Sequence, residues 1–176
     1  IEIQDKVFKD GDFKDSIYKA RREKSFIMAV NCSYAGGNCF CVSMRTGPKV
    51  YSGFDLALTE IISGEKHYFL VNIGTDIGAE VFSEIPNRLA SEDEKRAADE
   101  VILHAAGHMG KLLNTEDIKT ILNRNFDHPR WDAVATRCLA CGNCTMVCPT
   151  CFCSSAEDSS DLTGSHAERW RRWDSC

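Results

Sequence analysis

The stretch RCLACGNCTMVCPTCFC, residues 137–153, holds six of the ten cysteines and decides what the second half of the chain must build. The thiols in it belong to Cys138, Cys141, Cys144, Cys148, Cys151 and Cys153. The first four have the spacing C-x2-C-x2-C-x3-C, and Pro149 follows at once. Two-residue spacers let one tight loop aim three thiolates at a common point, and Gly142 lets the backbone come close. We therefore expect a metal-ligating loop, followed by a helical turn that stops at Pro149.

This spacing is that of the bacterial ferredoxin run, whose thiolates hold [4Fe–4S] clusters. Structural zinc prefers two C-x2-C pairs with a longer gap, so a zinc site is the weaker alternative. In two-cluster ferredoxins, the Cys before Pro ligates the other cluster. The spacing thus assigns Cys138, Cys141 and Cys144 to one cluster and Cys148 to a second. Either the remaining ligands lie beyond Cys176, or a single cluster uses Cys148 or Cys176.

The other cysteines give weaker signals. Cys151 and Cys153 follow Pro149, and they are more simply explained as packing against a cluster or donating weak S–H bonds to it. Cys32, Cys39 and Cys41 form C-x6-C-x-C after a strand. Three thiols are one short of a cubane cluster, and small buried thiols at a strand end are an equal alternative. Spacing alone leaves both interpretations of this group open.

Composition excludes several classes of protein. The 176 residues carry a formal net charge of −5, whereas general nucleic-acid binding needs a basic surface, so we expect no nucleic-acid partner. No apolar run approaches the ~20 residues that span a bilayer, and the first residues lack the features of a signal peptide. We therefore expect a cytoplasmic protein without a membrane partner. Because the sequence begins without Met and stops at Cys176, we also expect a fragment cut at both ends.

Hydrophobic patterning predicts an α+β fold whose first part is a small α/β domain, residues 1–90. An amphipathic helix is predicted over residues 12–24 with Asp12 as its N-cap, followed by a buried strand in SFIMAVN, residues 25–31. Two more strands are predicted in FDLALTEII from residue 54 and HYFLVNIG from residue 67. The Cys32, Cys39 and Cys41 loop belongs to this domain.

Residues 91–176 are predicted to form a helical ferredoxin-type domain. Ser91 and Glu94 form a capping box at the start of a helix of about five turns, and two shorter helices precede the cysteines. The tail ends in SHAERWRRW, residues 165–173, which we interpret as a short helix that contacts a partner subunit or lies near the clusters. His104 and His108 have metal-ligand spacing on one helix face, but no zincin glutamate lies between them, so we expect a packed or solvated pair.

Several segments together resemble one family. They are QDKVF, YKARREKSFIMAVNC, GGNCFCVSM, FDLALTEI, and RCLACGNCTMVCPTCFC followed by WDSC. In these segments the chain is similar to the iron–sulfur beta subunit of cytosolic sulfhydrogenases, which are NAD(P)-linked nickel–iron hydrogenases, and to a related iron–sulfur subunit of anaerobic sulfite reductase. The resemblance implies that Cys32, Cys39 and Cys41 join a cysteine upstream of Ile1 around a further cluster. It also implies a second ferredoxin run downstream of WDSC.

The resemblance and the cysteine pattern together predict an electron-transfer subunit that carries [4Fe–4S] clusters. By resemblance, its partners would be a flavin/NAD(P)-binding subunit and a catalytic hydrogenase or sulfite-reductase subunit of an anaerobic organism. We expect no turnover from the chain alone and name no catalytic residue. The alternatives are a structural zinc-binding interaction module, and an enzyme with its own substrate site.

Overall fold

The computed structural model describes residues 1–174, and it confirms an α+β fold. The chain forms two compact units, residues 22–124, and residues 1–21 together with the chain from residue 125 onward. The boundary predicted between residues 90 and 91 falls inside the unit of residues 22–124.

The described residues form seven helices and five strands. The helices are α1 Glu2–Phe8, α2 Ser16–Glu23, α3 Asp76–Ser83, α4 Glu92–Gly107, α5 Ile118–Arg124, α6 Arg130–Ala135 and α7 Asn143–Val147. The strands are β1 Met28–Val30, β2 Leu56–Ser63, β3 Lys66–Ile73, β4 Ser154–Ser160 and β5 Ala167–Trp173.

The unit of residues 22–124 is built on a three-stranded sheet with the order β1-β2-β3. β1 runs parallel to β2, and β3 pairs antiparallel to β2 through a tight turn in which Gly64 has a φ of +59°. α4 packs on β2 and β3, and most of the buried side chains are supplied by β2 and α4. They are Leu56, Ala57, Thr59 and Ile61 from β2, and Ala98, Ile102 and Ala105 from α4. The predicted strands in this half of the chain are confirmed.

The N-terminus of α4 has the predicted capping box. The Ser91 hydroxyl accepts from the Glu94 N–H, and the Glu94 carboxylate accepts from the Ser91 N–H at 2.9 Å. Arg88 also donates to this carboxylate, and these hydrogen bonds lower the pKa of Glu94 to about 2, with the Arg88 side chain as the largest cause. The cap is therefore ionised throughout the physiological range.

The prediction that β1 is buried is wrong. Met28 and Val30 are 51 % and 65 % exposed, although the strand itself forms as predicted. Their partners across the sheet are Leu56 and Leu58 on β2. Ala57 and Thr59, on the opposite face of β2, are buried. An apolar run thus located the strand but could not show how far its side chains would be covered.

The second unit contains α1, α2, α6, α7 and a two-stranded hairpin. The helix predicted over residues 12–24 is confirmed as α2, but its cap is Asp15 and not Asp12. The Asp15 carboxylate accepts from the N–H groups of Ile17 and Tyr18, each at 2.9 Å. The guanidinium of Arg171 on β5 also donates to it at 2.5 Å. The backbone N–H of Tyr18 and then Arg171 lower the pKa of Asp15.

The hairpin overturns the prediction of a short helix in SHAERWRRW. β4 and β5 pair antiparallel from Ser154 opposite Trp173 to Ser160 opposite Ala167. Opposite charges face each other across it, as where Arg169 binds the carboxylate of Asp158 with two hydrogen bonds of 2.5 Å. Cross-strand ion pairs of this kind favour the antiparallel register. Among residues 1–174, no helix combines the length and the hydrophobicity needed to cross a bilayer.

Candidate metal centres

The C-terminal cysteine loop, residues 137–153, begins where α6 ends. The Cys138 N–H donates to the Ala135 carbonyl at 2.9 Å, and the Ala140 N–H donates to the Cys138 sulfur at 3.4 Å. Ala140 and Gly142 both have left-handed backbones, with φ of +52° and +67°. These two reversals bend the chain between successive cysteines, and α7 then begins after Gly142 and carries Cys144. The short spacers therefore form the predicted tight loop followed by a helical turn.

Cys148 directly follows α7 as its C-cap, with an extended backbone. The Thr150 hydroxyl lies 3.0 Å from its sulfur. Contacts from the hydroxyl and then the N–H of Thr150, with smaller ones from Cys151, lower the pKa of the Cys148 thiol. Because the thiolate is the form that binds metal, this environment favours the ligating state.

The N-terminal cysteine loop, residues 32–49, is closed at its base by Asn31. The Asn31 amide donates to the Thr59 hydroxyl at 2.9 Å and accepts from the Val50 N–H at 2.8 Å. The Cys32 N–H donates to the Pro48 carbonyl at 3.2 Å, so both ends of the loop are fastened together. Asn31 is 3 % exposed and Thr59 is 1 % exposed. A buried polar pair on the sheet thus anchors the segment that carries three thiols.

Glycines lie beside two of the three thiols in this loop. A Cβ on Gly47 would lie 3.2 Å from the Cys41 sulfur, and one on Gly36 would lie 3.5 Å from the Cys39 sulfur. The Cys39 N–H donates to the Gly36 carbonyl at 3.0 Å, which forms the predicted turn. Glycine at these positions leaves both sulfurs without a neighbouring side chain from Gly36 or Gly47.

Sequence reasoning missed the segment that holds this loop in place. Residues 109–113, which follow α4, contact it at Met109, Gly110, Lys111 and Leu113. The sequence pattern extends the helix that begins after Ser91 into this segment, whereas α4 ends at Gly107. Gly110, three residues beyond the end of α4, was the available signal, because an isolated glycine often marks a close approach of two backbones.

The chemistry of the donors fits an iron–sulfur cofactor. Among residues 1–174, the nine cysteines form no disulfide with one another, and cysteine sulfur is the donor that iron–sulfur clusters take. Over the same residues, no three His, Cys, Asp or Glu side chains converge as a ready-made metal site. His104 and His108 stack on each other with ring centroids 4.1 Å apart, as a packed pair. The structure thus presents two cysteine loops with defined backbone turns and hydrogen bonds.

The structure places the seven predicted ligands on these two loops. Cys138, Cys141, Cys144 and Cys148 share the C-terminal loop, and Cys32, Cys39 and Cys41 share the N-terminal one. Phe152, between Cys151 and Cys153, packs edge-on against Phe8 of α1 with ring centroids 5.4 Å apart. The ligand role of each cysteine stays a prediction. The role considered for Cys176 lies outside the described residues.

Comparison with known proteins agrees with this donor chemistry. A family model for a 4Fe-4S dicluster domain matches residues 137–176. Over its full length the chain is 35 % identical to sulfhydrogenase 2 subunit beta of Pyrococcus furiosus, of which it covers 51 %. The chain therefore spans about half the length of this curated relative. No solved structure matches it. The cofactors of this chain are [4Fe–4S] clusters.

Proposed function

We propose that the chain is an iron–sulfur beta subunit of the kind found in sulfhydrogenases, and that it relays electrons between two partner subunits. One partner would bind flavin and NAD(P), and the other would be a catalytic hydrogenase or sulfite reductase. The observation that carries the proposal is the C-x2-C-x2-C-x3-C-P run inside the matched dicluster domain. We place this relay in the cytoplasm of an anaerobic cell.

The proposed ligands follow the two loops. Cys138, Cys141 and Cys144 would bind one cluster, and Cys148 would bind a second, as in two-cluster ferredoxins. Support comes from the backbone reversals between the first three cysteines. Cys32, Cys39 and Cys41 would supply three ligands of a further cluster, supported by their place on one loop whose ends are joined by the hydrogen bond from the Cys32 N–H to the Pro48 carbonyl.

When bound, each cubane supplies a site that accepts one electron and passes it on. The residues of this chain would set how readily that happens. An N–H that donates to a ligating sulfur stabilises added negative charge and so raises the reduction potential, and the Ala140 N–H already lies 3.4 Å from the Cys138 sulfur. No residue of the chain is assigned a catalytic role, and we expect no turnover without the partner subunits.

Metal analysis and spectroscopy of the anaerobically purified protein test the proposal. We expect iron and acid-labile sulfide in equal amounts, a brown colour, and an EPR signal after reduction with dithionite. Reduced protein should then transfer one electron per cluster to oxidised flavin mononucleotide in a stopped-flow experiment. Stoichiometric zinc in a colourless protein would instead support the zinc-binding module and overturn the relay.

Paired substitutions test the ligand set. Cys138→Ser should remove the iron of one cubane, about four atoms per chain. Cys153→Ala is the matched control, because this cysteine lies in the same loop and is assigned no ligand role; it should keep the full iron content. Equal iron loss in both variants would contradict the assignment and place Cys153 among the ligands.

A further inference from the structure

We propose that residues 109–113 form a clamp that positions the N-terminal cysteine loop for cluster binding, with Gly110 as the positioning residue on which it depends. The inference rests on the proposed ligand role of Cys32, Cys39 and Cys41. Residues 109–113 contain no cysteine, and they lie about 70 positions after the cysteine loop that they contact. Three features of the clamp support it, namely a close backbone approach, two hydrogen bonds and a contact between sulfurs.

The first feature is the close approach of two backbones. A Cβ on Gly110 would lie 2.2 Å from both the carbonyl carbon and the oxygen of Gly37, and 2.6 Å from its Cα. These are backbone atoms, so no side-chain rotation relieves the overlap. Gly110 has no left-handed φ, so it is needed for the close approach and not for its conformation. The relation is one-sided, because a Cβ on Gly37 would meet nothing within 4 Å.

The second feature is hydrogen bonding. The Lys111 N–H donates to the carbonyl of Cys39 at 3.0 Å, and the Leu113 N–H donates to the hydroxyl of Ser43 at 3.1 Å. The first bond holds the peptide group between Cys39 and Phe40. The second holds Ser43, which lies two residues after Cys41 in the turn over residues 41–45. Both donors belong to the backbone, so they reach the loop only while Gly110 and Gly37 stay in contact.

The third feature is the contact between two sulfurs. The thioether of Met109 lies 3.8 Å from the Cys41 sulfur. A thioether is soft and weakly polar, so Met109 shields one side of this thiol from water without competing strongly for its proton. The clamp therefore touches both halves of the C-x-C pair, Cys39 through its carbonyl and Cys41 through its sulfur.

The consequence of the clamp is pre-organisation. Three thiolates bind a cubane only when the backbone presents them together, and a long loop that moves freely loses entropy each time it closes. The base of the loop is fastened by Asn31, and the clamp fastens its middle. Loosening the clamp should speed loss of the cluster and change its spectroscopic signature, while leaving the sheet and α4 folded.

The test uses anaerobically purified full-length protein with its clusters, and Gly110→Ala as the main variant. Gly37→Ala and Gly107→Ala are matched controls, since a Cβ at either position meets nothing within 4 Å. Ser43→Ala removes one clamp hydrogen bond without crowding, and it decides the matter if Gly110→Ala does not fold. Cys39→Ala tests the ligand role separately. Readouts are iron release to EDTA, the EPR spectrum of the reduced protein, and far-UV circular dichroism.

We expect Gly110→Ala to release the iron of one cubane at least about ten-fold faster than the parent protein, with altered g-values and an unchanged circular dichroism spectrum. Ser43→Ala should release it roughly five-fold faster, the effect of one lost hydrogen bond. Both glycine controls should match the parent.

Two results would overturn the inference, and they differ. If Cys39→Ala removes a cubane while Gly110→Ala and Ser43→Ala keep the parent release rate and EPR spectrum, the ligand role stands and the clamp fails. If Cys39→Ala keeps the full iron content, the ligand assignment fails and the clamp fails with it.

Discussion

Replacing Asn31 with alanine should destabilise the unit of residues 22–124 more than any substitution at an exposed asparagine. The Asn31 side chain makes two hydrogen bonds, of 2.9 Å to the Thr59 hydroxyl and 2.8 Å from the Val50 N–H. It joins the end of β1, the middle of β2 and the return of the cysteine loop. Because Asn31 and Thr59 are both buried, water cannot replace the lost partner at Thr59 without entering the core.

The two hydrogen bonds set the size of the effect. A buried hydroxyl left without its partner costs about 1–3 kcal/mol, and the bond to the half-buried Val50 adds about 1 kcal/mol. We therefore expect a loss of about 2–4 kcal/mol in the free energy of unfolding of this unit. A loss of this size corresponds to a roughly 30- to 900-fold increase in the rate of amide exchange that proceeds through opening of the unit.

Hydrogen–deuterium exchange of peptides from β2 is the suitable measurement. The three tryptophans, at positions 131, 170 and 173, lie outside residues 22–124, so fluorescence does not report on this unit. Asn38→Ala, at an exposed loop position, is the matched control and should change exchange by less than about three-fold. A double-mutant cycle with Thr59→Val should give a coupling of about 0.5–1.5 kcal/mol. Exchange in Asn31→Ala within about three-fold of the parent protein would show that this buried pair does not hold the unit together.

Three further predictions concern other parts of the fold. The Tyr18 N–H and Arg171 hold the pKa of Asp15 below its usual value, so the stability it contributes is full above about pH 4 and is lost as the pH falls further. Asp15→Asn should weaken this acid dependence, measured by urea unfolding with tryptophan fluorescence. Ser91→Ala should cost about 1 kcal/mol and speed exchange in α4. Gly78→Ala should cost about 3 kcal/mol, measured by exchange in β2, because its Cβ would lie 2.2 Å from a backbone oxygen of the segment entering β2.

Each of these has an outcome that contradicts it. An Asp15→Asn protein with the acid dependence of the parent would show that this carboxyl titrates alike in the folded and unfolded chain. Unchanged amide exchange in α4 of the Ser91→Ala protein would show that the capping box does not stabilise this helix. A Gly78→Ala protein as stable as Gly107→Ala, whose Cβ meets nothing within 4 Å, would show that the backbone there can move apart.

The sequence patterns predicted those helices, caps and hairpins whose interacting residues lie close together in the chain. The capping box at Ser91 was predictable because both partners lie within one helical turn, and the β2–β3 hairpin was predictable from alternating apolar residues around a glycine turn. The helix over residues 12–24 was predictable for the same reason, yet its cap was misplaced. Asp12 and Asp15 are both suitable residue types, and Asp15 is the one that pairs with Arg171 from β5.

Features that depend on distant partners were missed. SHAERWRRW has no local preference strong enough to decide between helix and strand, and its pairing with residues 154–160 decides it. The turn Asp161–Ser165 was the available signal, since the Asp161 carboxylate accepts from the Ser165 N–H at 3.0 Å and Gly164 has a φ of +70°. The clamp at Gly110 was missed because its partner, Gly37, lies far away in the sequence.

The β4–β5 hairpin brings the chain back to its starting point, so the number of residues in the hairpin does not change the distance between its two ends. After Cys153 the chain runs out along β4, returns along β5, and meets its own starting point where the Asp174 N–H donates to the Cys153 carbonyl at 3.0 Å. Residues can therefore be gained or lost in facing pairs at the Thr163–Gly164 tip without moving either end. Evolution can lengthen this arm, and an engineer can insert an affinity tag or a surface anchor at the tip, while the spacing of the six cysteines in residues 137–153 stays intact.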